Sequence, residues 1–316
     1  MKIGSAKTAA SVLFALLLSL SCIAPGIADT WRFALIGDTP YSERERAELP
    51  KMMEAMADRR IDVIVHIGDF KSGSSLCSDE VFTDRFQLFD ASRAAFVFVP
   101  GDNEWTDCQR LSNGGYDPLE RLAKLRSLFW NKDRSLGQAT LALERQPGAY
   151  PEHARFSLGP VLFVSLNLPG SNNNWGMSNE PRPEFLARNP AVVAWLKDSF
   201  AQARRDKRSA VVLLFQANPG FEHYAQGFPH RGYRVFLDTL REETLNFPGQ
   251  VVAVHGDTHI SRIDQPLRDR NGRTIQNFVR IETFGYPIMG WTEGIIDSEA
   301  TNPLRFASHP WPQPTQ

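Results

Sequence analysis

The chain has 316 residues, of which 42% are hydrophobic, enough for a sizeable core in one large domain or two smaller ones. Lys and Arg number 35 against 36 Asp and Glu, which excludes a globally basic nucleic-acid-binding protein and an acidic disordered chain. Glycine and proline, at 22 and 21 residues, are too few for a collagen-like or low-complexity chain. Composition therefore predicts a globular protein and leaves its function open.

Residues 1–28 are typical of a secretory signal peptide. Lys2 and Lys7 precede an apolar run over 9–20, which is shorter than the roughly 20 residues that a membrane span needs. Small residues at 26–28 offer a cleavage site. We therefore expect a secreted or periplasmic protein with no membrane span in its mature chain; an uncleaved N-terminal anchor is the alternative.

The three cysteines bear on the same question. Cys22 would allow a lipoprotein anchor, although Ser19 stands where a lipobox has an aliphatic residue. Removal of the signal peptide leaves Cys77 and Cys108, and an even pair in an exported protein predicts a disulfide. Two buried free thiols are the alternative. Metal binding by this pair is disfavoured because no second Cys or His pair stands at ligand spacing.

Short apolar runs rich in β-branched and aromatic residues predict buried strands. They cover 31–36, 61–67, 95–99, 161–166, 210–215, 251–254 and 278–283. Segments with helical periodicity lie between them and predict an α/β protein, a sheet flanked by helices. The closer spacing of strands after residue 250 indicates a more antiparallel C-terminal half.

Three helices and two irregular segments can be placed more closely. Phe82, Phe86 and Phe89 form a helical stripe, and Asp117-Pro118 supplies an N-cap and a first-turn proline. Asn189-Pro190 is predicted to open another helix. We expect an irregular loop over 169–190 and a loose Pro-rich tail over 307–316.

Four of the predicted strands end in Gly-Asp. The carboxyl ends of strands in open α/β sheets form the ligand crevice, so these carboxylates should meet at one rim. One such pair is only a turn signal, but four after strands are a pattern. Like charges packed together need a positive partner, and a divalent metal ion is the obvious one. The pairs are Gly37-Asp38, Gly68-Asp69, Gly101-Asp102 and Gly256-Asp257.

The pattern resembles the calcineurin-like metallophosphoesterases. Their strand ends carry Gly-Asp-x-His, Gly-Asp, Gly-Asn-His-Asp/Glu, a lone His and Gly-His-x-His, and the resemblance runs in order from about 31 to 285. It implies a four-layer α/β/β/α sandwich of two mixed sheets flanked by helices, over residues 29–306. It also implies two metal ions and hydrolysis of phosphate mono- or diesters. Matching residues are Asp38 for the first Asp, Asp69 for the metal-bridging Asp, Glu104 for the acidic end of the third motif, and His259 for the last His.

The departures from the family pattern remove nitrogen ligands. Pro40 stands where the first motif has a ligand His. Gapless alignment places Asp102 at the ligand Asn and Asn103 at the His that assists the leaving group, whereas a shift by one residue makes Asn103 the ligand. Gln216 replaces the lone His, and Asp257 replaces the first His of the last motif. Gly-Asp-Asn-Glu-Trp-Thr-Asp-Cys and His-Gly-Asp-Thr-His mark a divergent branch.

The resemblance therefore implies an oxygen-rich metal site. Such a set suits Mg²⁺, Mn²⁺ or Ca²⁺ better than Zn²⁺. Four carboxylates would compensate two divalent ions, so one or two ions are possible. The alternative is a metal-free site in which the Asp side chains cap turns. The expected ligands are Asp38, Asp69, Asp102, Gln216, Asp257 and His259.

Proton transfer needs a different donor from the one the family uses, because Asn103 can donate a hydrogen bond but cannot act as an acid. His255, His66 and His259 are candidate substitutes, and His255 is nearest in sequence to the site. A His on a buried strand is also an ordinary core residue, and that alternative remains.

Two further residues are candidates for substrate binding. Lys71, followed by the small residues 72–75, could hold a phosphate, or this segment could be a plain connection. Asn167 could reach a substrate from the next strand end.

The sequence thus predicts an exported metal-dependent phosphoesterase acting on a small phosphorylated substrate. The alternative is a catalytically weak or inactive relative that binds a metal or a phosphorylated ligand. A nucleic-acid partner is not expected, because the only basic cluster lies at 204–208.

Overall fold

The computed structural model describes residues 1, 2, 4, 30–176 and 178–312. Apart from three of its residues, the predicted signal peptide lies outside this described part, as does Cys22. In the described part, no helix is both long and apolar enough to cross a bilayer.

Strands and helices alternate through most of the chain. The strands are β1 (Thr30–Ile36), β2 (Val63–His66), β3 (Ala95–Phe98), β4 (Glu144–Arg145), β5 (Ala154–Leu158), β6 (Val161–Ser165), β7 (Ala210–Leu214), β8 (Gln250–His255), β9 (Arg262–Asp264), β10 (Phe278–Glu282), β11 (Gly290–Asp297) and β12 (Leu304–Pro310). The α-helices are α1 (Glu43–Asp58), α2 (Asp79–Asp90), α3 (Pro118–Phe129), α4 (Gly170–Asn173), α5 (Pro183–Arg205), α6 (Phe221–Ala225) and α7 (Arg234–Leu245). Two 3₁₀-helices follow β3, η1 (Thr106–Gln109) and η2 (Leu111–Asn113).

These strands form two mixed sheets. The first has the order β12-β11-β1-β2-β3, with β1, β2 and β3 parallel and β11 and β12 antiparallel to their neighbours. The second has the order β4-β5-β6-β7-β8-β10-β9, with β6, β7, β8 and β10 parallel. All seven predicted strands are present.

Three hydrophobic clusters fill the spaces between four layers. One joins the two sheets, where Phe33 of β1 meets Phe163 of β6 with ring centroids 5.0 Å apart. A second lies between the first sheet and helices α1, α2 and α3 and includes Met52 and Phe89. The third lies between the second sheet and helices α5 and α7, around Trp195. This arrangement confirms the predicted α/β/β/α sandwich.

Helix starts test the local predictions. Asp117 caps α3 as predicted, its side chain accepting hydrogen bonds from the N–H groups of Leu119 and Glu120. The predicted start at Asn189 is wrong, since α5 begins at Pro183 and continues through Pro190. Proline removes one backbone donor from a helix, and the buried face of α5 on the second sheet outweighs that loss.

The C-terminal region is more ordered than predicted. β9, β11 and β12 are antiparallel as expected, but β10 runs parallel to β8, so the antiparallel prediction is wrong there. The predicted loose tail begins inside β12, because residues 307–310 pair with residues 290–293 of β11. Backbone hydrogen bonds of a sheet edge therefore hold a segment whose composition suggested a tail.

Candidate functional site

The four Gly-Asp pairs follow β1, β2, β3 and β8, three neighbours in the first sheet and one strand of the second. The backbone N–H of Asp257 donates to both carboxylate oxygens of Asp38, at 3.1 and 3.2 Å, and so links the two sheets. Gln216, two residues beyond β7, donates from Nε2 to Oδ2 of Asp69 at 3.1 Å. The carboxyl ends of both sheets thus meet in one crevice, as the sequence predicts.

Glycine allows the backbone to approach these carboxylates closely. A Cβ on Gly101 would lie 2.0 Å from Oδ1 of Asp69, and one on Gly256 would lie 2.1 Å from Oδ2 of Asp38. The aspartates themselves are in the left-handed region, with φ of 50° at Asp38, 58° at Asp69 and 76° at Asp257. Such backbone conformations are costly and gather at functional sites. The backbone conformation of the Gly-Asp pairs therefore orients the carboxylates.

The charged forms of the carboxylates in the crevice are destabilised by their surroundings. Burial raises the pKa of Asp38, Asp69 and Asp102, and neighbouring carboxylates raise that of Asp69 further. Burial, with Asp102 nearby, raises the pKa of Asp257 to about 7. Burial likewise raises the pKa of Glu104 to about 7. A cation at this position would reverse these shifts by stabilising the charged forms.

Two charged residues support the crevice from behind. Glu104 accepts hydrogen bonds at Oε1 from the N–H groups of Gly101 and Asp69, at 2.5 and 3.1 Å. The buried ammonium of Lys71 donates to the carbonyl oxygens of Asn103 and Ser72, at 2.8 and 2.9 Å, and burial lowers its pKa to about 8. The structure therefore places Lys71 as a brace for the loops rather than facing a substrate.

Tyr41 is a site residue that the sequence reasoning missed. Its hydroxyl lies 3.4 Å from Oδ1 of Asp38 and 3.2 Å from Oδ2 of Asp69, and it accepts a hydrogen bond from Nδ2 of Asn103 at 3.1 Å. The ring stacks on Tyr286 with centroids 5.8 Å apart. Its place three residues after Asp38, in the loop that leaves β1, was the available signal.

Asn103 and Asp102 take different positions in the crevice. The amide Nδ2 of Asn103 donates to Oδ2 of Asp69 at 2.9 Å, and its backbone N–H donates to Oδ1 at 3.1 Å. Asp102 points to another wall, where its Oδ2 accepts a hydrogen bond from the Ser171 hydroxyl at 2.8 Å. Both candidates of the third motif therefore reach the crevice, one on each side of it.

Of the three candidate histidines, the structure brings only His259 to the crevice. Its Nε2 lies 3.5 Å from Oδ1 of Asp38, and its Nδ1 lies 2.7 Å from the carbonyl oxygen of Tyr286. The hydrogen bond with Asp38 raises the pKa of this imidazole. The Tyr286 carbonyl can only accept, so it fixes the N–H on Nδ1 when the ring is neutral and leaves Nε2 free to act as a ligand.

His255 and His66 do not reach the crevice. Both are fully buried, and burial lowers their pKa values to about 3 and about 4. His255 Nδ1 pairs with the carbonyl oxygen of Gly256 at 2.9 Å, and His66 Nε2 pairs with that of Thr39 at 2.7 Å. The structure thus gives no support to proton donation by His255 and favours the alternative of a core histidine.

Asn167 is also held away from the crevice. Its side chain is fully buried and donates from Nδ2 to Oε1 of Glu152 at 2.9 Å. Glu152 in turn pairs with Arg126 at 2.7 Å. These contacts give Asn167 a structural role instead of the predicted contact with a substrate.

Cys77 and Cys108 form the predicted disulfide. It joins the segment after β2, which contains Asp69, to η1, which follows Asp102 and Asn103. Two loops that carry site residues are therefore covalently fixed to each other.

The donor set fits a hard divalent cation. Within the part of the chain that the structure describes, no three His, Cys, Asp or Glu side chains are arranged as a preformed metal site. The chemistry nonetheless suits a cation, since Asp38, Asp69, Asp102 and Asp257 supply buried carboxylate oxygens whose pKa values are raised. Lys71, the buried cation beside them, donates to backbone carbonyls. Oxygen donors favour Mg²⁺, Mn²⁺ or Ca²⁺.

Comparison with known families agrees with this geometry. The profile of the calcineurin-like phosphoesterases matches residues 32–261. The chain belongs to this family. Its members in general use divalent metal ions and act on phosphoesters. A search of curated protein sequences finds no match at the required significance.

Solved structures show the same fold at low sequence identity. A dimetal phosphatase from Danio rerio has a TM-score of 0.52 and 13% identity, over 88% of this chain and 98% of the other. The Plasmodium protein GAP50, described as an anchor in the inner membrane complex, has a TM-score of 0.53 and 12% identity, over 89% and 84%. The purple acid phosphatase PPD1 from yellow lupin has a TM-score of 0.52 and 14% identity, over 91% of this chain and 52% of the other. At these identities the likeness establishes the fold alone.

Proposed function

We propose that this protein is an exported, metal-dependent phosphoesterase that hydrolyses phosphate mono- or diesters of small molecules. The observation that carries the proposal is the convergence of Asp38, Asp69, Asp102 and Asp257 at the carboxyl ends of strands from both sheets. Their buried anionic forms need a cation, and family membership supplies the reaction class.

The residues that would hold metal fall into two sets that share Asp69. A bound divalent ion would lower the pKa of a water molecule and neutralise phosphoryl oxygens. One set is Asp38, Asp69 and His259, and the other is Asp69, Gln216, Asp257 and either Asp102 or Asn103.

The chain's own contribution to the chemistry is hydrogen bonding and orientation. Tyr41 holds a proton on its hydroxyl oxygen between Asp38 and Asp69, beside the position from which the family's ligand His is missing. Asn103 supplies amide hydrogen bonds but no acid. Because general acid assistance is typically worth about 10²–10⁴ in rate, esters with good leaving groups should be the better substrates.

The alternative is a catalytically weak or inactive protein that binds a metal or a phosphorylated ligand. Asn103 and the buried His255 favour it, because neither can deliver a proton to a leaving group. The fold does not decide between the two functions, since it is shared by phosphatases and by a protein described as an anchor.

An assay of the purified chain without residues 1–28 separates these functions. Bound metal is measured first, and turnover of aryl phosphate mono- and diesters is then followed with Mn²⁺, Mg²⁺ or Ca²⁺, with and without chelator. We expect chelator-sensitive turnover that falls at least about 100-fold in Asp69→Asn. Asp90→Asn, an exposed substitution at the end of α2, is the matched control and should keep full activity. Bound metal without turnover on the whole panel would instead support the binding protein, and absence of both would overturn both functions.

Export is tested separately on the full chain. The basic and apolar pattern of residues 1–28 supports cleavage before Asp29. N-terminal sequencing of the protein recovered outside the cytoplasm should begin at Asp29. An intact N-terminus in the membrane fraction would indicate the uncleaved anchor, and a lipid on Cys22 would indicate the lipoprotein.

A further inference from the structure

A cavity of about 350 Å³ lies beside the carboxylate crevice. It opens between η1 and α4, the short helix that follows β6, and is lined by Asp107, Arg110, Ser171, Asn174 and Arg182 among others. None of these residues is used by the proposed metal site. The cavity therefore adds a separate group of charged side chains next to the crevice.

Ser171 lies between the crevice and the cavity and contacts a residue of each. Its hydroxyl donates to Oδ2 of Asp102 at 2.8 Å and lies 3.4 Å from Oδ1 of Asp107, which faces the cavity. A molecule bound at the carboxylates can therefore extend past Ser171 without leaving the protein surface.

The cavity carries more positive than negative charge. Arg110 pairs with Asp107 at 2.7 Å, and about half of the Arg110 side chain is exposed. Arg182 donates from Nη1 to the amide oxygen of Asn174 at 3.0 Å and makes no ion pair within the described part of the chain. One guanidinium thus remains available for an anion, and its planar fork matches a carboxylate or a phosphate.

The wall that carries Asn174 is held in an unusual backbone conformation. Residues 171–174 all have φ between 52° and 58°, so α4 is a left-handed turn and not a regular α-helix, and this conformation costs roughly 1–2 kcal/mol per residue. The side chain of Asn173 is held by Arg188 at 2.7 Å and by the carbonyl oxygen of Gly232 at 2.8 Å. Surrounding contacts thus retain a strained segment at the edge of a cavity, as happens where a ligand is bound.

We propose that this cavity binds a second anionic group of the substrate, a carboxylate or a phosphate. The proposal rests on the proposed function, which places the phosphoryl group at the carboxylate crevice. Arg182 is its principal contact, and Arg110 is the second. The substrate class is then a small phosphate ester with a second anion a few atoms away.

The test compares esters that differ only at the second group. Propyl phosphate and butyl phosphate carry none, the phosphate monoesters of 3-hydroxypropionate and 4-hydroxybutyrate carry a carboxylate, and propane-1,3-diyl bisphosphate carries a phosphate. We expect kcat/KM to be on the order of 10-fold higher for at least one anionic ester than for its neutral partner. In Arg182→Gln the ratio of kcat/KM for an anionic ester to that for its neutral partner should fall to about 1, and Arg182→Lys should retain part of the ratio.

Controls keep the two proposals distinguishable. Arg305→Gln, on β12 at the opposite end of the first sheet, should leave every rate unchanged. Binding of the same esters is measured by calorimetry with Mn²⁺ present, and thermal unfolding shows whether each variant is folded. If neither these esters nor the aryl phosphates of the activity assay are hydrolysed, but the anionic esters still bind more tightly and Arg182→Gln removes that difference, the subsite stands and the phosphoesterase proposal fails. Equal binding and equal turnover of neutral and anionic esters would overturn the subsite alone.

Discussion

Glu293 and Asp69 are both almost fully buried carboxylates, yet their surroundings are opposite. Glu293, on β11, pairs with Arg59 at 2.7 Å, Arg32 at 2.5 Å and His309 at 2.9 Å. Burial alone would raise its pKa, but the hydrogen bonds from Arg59 and Arg32 outweigh burial and lower it. Within the described part of the chain, Asp69 has only neutral hydrogen-bond partners, and the nearby ammonium of Lys71 donates to backbone carbonyls instead. Burial and the neighbouring acids raise the pKa of Asp69 well above the ordinary value.

The difference separates a structural acid from a functional one. A buried charge that the fold uses for its own stability has its counter-charge supplied by the same chain. Within the described part of the chain, no Arg or Lys pairs with the crevice acids, and only Asp38 has an imidazole, that of His259, within ion-pair distance. This shortage of positive charge destabilises the fold and leaves a place for an external cation. The following predictions test this contrast, starting with the largest expected effect.

Addition of a divalent ion to chelator-treated protein should stabilise it strongly. At a free Mn²⁺ concentration 100 times the Kd, the free energy of unfolding should rise by about 2.7 kcal/mol. Glu293→Gln should keep this gain, whereas Asp69→Asn should lose most of it. Urea unfolding with and without Mn²⁺ measures the difference, and an equal gain in all three proteins would contradict a cation site at Asp69.

Glu293→Gln should destabilise the fold by about 2 kcal/mol, because Arg32 and Arg59 lose a buried counter-charge while keeping some contact with water. Glu54→Gln, which breaks an exposed pair with Arg93, is the matched control and should change little. Both effects are read from urea midpoints. Equal midpoints for the two variants would remove the structural role given to Glu293.

Asp102→Asn should change the free energy of unfolding in the opposite direction from Glu293→Gln. In chelator it should stabilise the fold by about 1.5 kcal/mol, because a neutral amide replaces a buried carboxylate whose pKa burial has raised. Asp90→Asn should not change stability. Calorimetric melting in chelator tests this, and a loss of stability in Asp102→Asn would show that the charge is already balanced within the chain.

The pH dependence should also differ between the two regions. Glu104 and Asp257 have folded pKa values of about 7, above their unfolded values, so the folded state binds more protons and stability rises as pH falls from 8 to 6. The expected slope is about 1 kcal/mol per pH unit in chelator. Glu293, with its lowered pKa, contributes stability above its unfolded value near 4.5 and loses it in more acidic solution. A free energy of unfolding that stays constant between pH 8 and 6 would contradict the raised pKa values of Glu104 and Asp257.

The sequence predicts the crevice well because each Gly-Asp pair is local to its strand. A strand end and the turn after it are adjacent in the chain, so Asp38, Asp69, Asp102 and Asp257 could all be placed from apolar runs alone. β11 was missed because Gly290 and Gly294 interrupt its apolar pattern, and its strength comes from pairing with β1.

Side-chain roles that depend on distant neighbours were harder to predict. Asn167 looked free to reach a substrate, but Glu152 from an earlier loop holds it. His255 stands at a strand end like the aspartates, yet its ring lies among Phe215 and Phe221. Tyr41 stands near Asp38 in sequence, but only the folded loop brings its hydroxyl between two acids. Long-range packing decides each of these positions.

The disulfide between Cys77 and Cys108 has a consequence for when the crevice is complete. In a reducing compartment, the loops carrying Asp69 and Asp102 would have to resist their mutual repulsion through noncovalent contacts alone. Oxidation of the two thiols joins these loops permanently and should stabilise the fold by roughly 3–4 kcal/mol. Oxidation of the two thiols would then determine when the crevice becomes rigid. A newly made chain would reach that state only after it meets an oxidising environment.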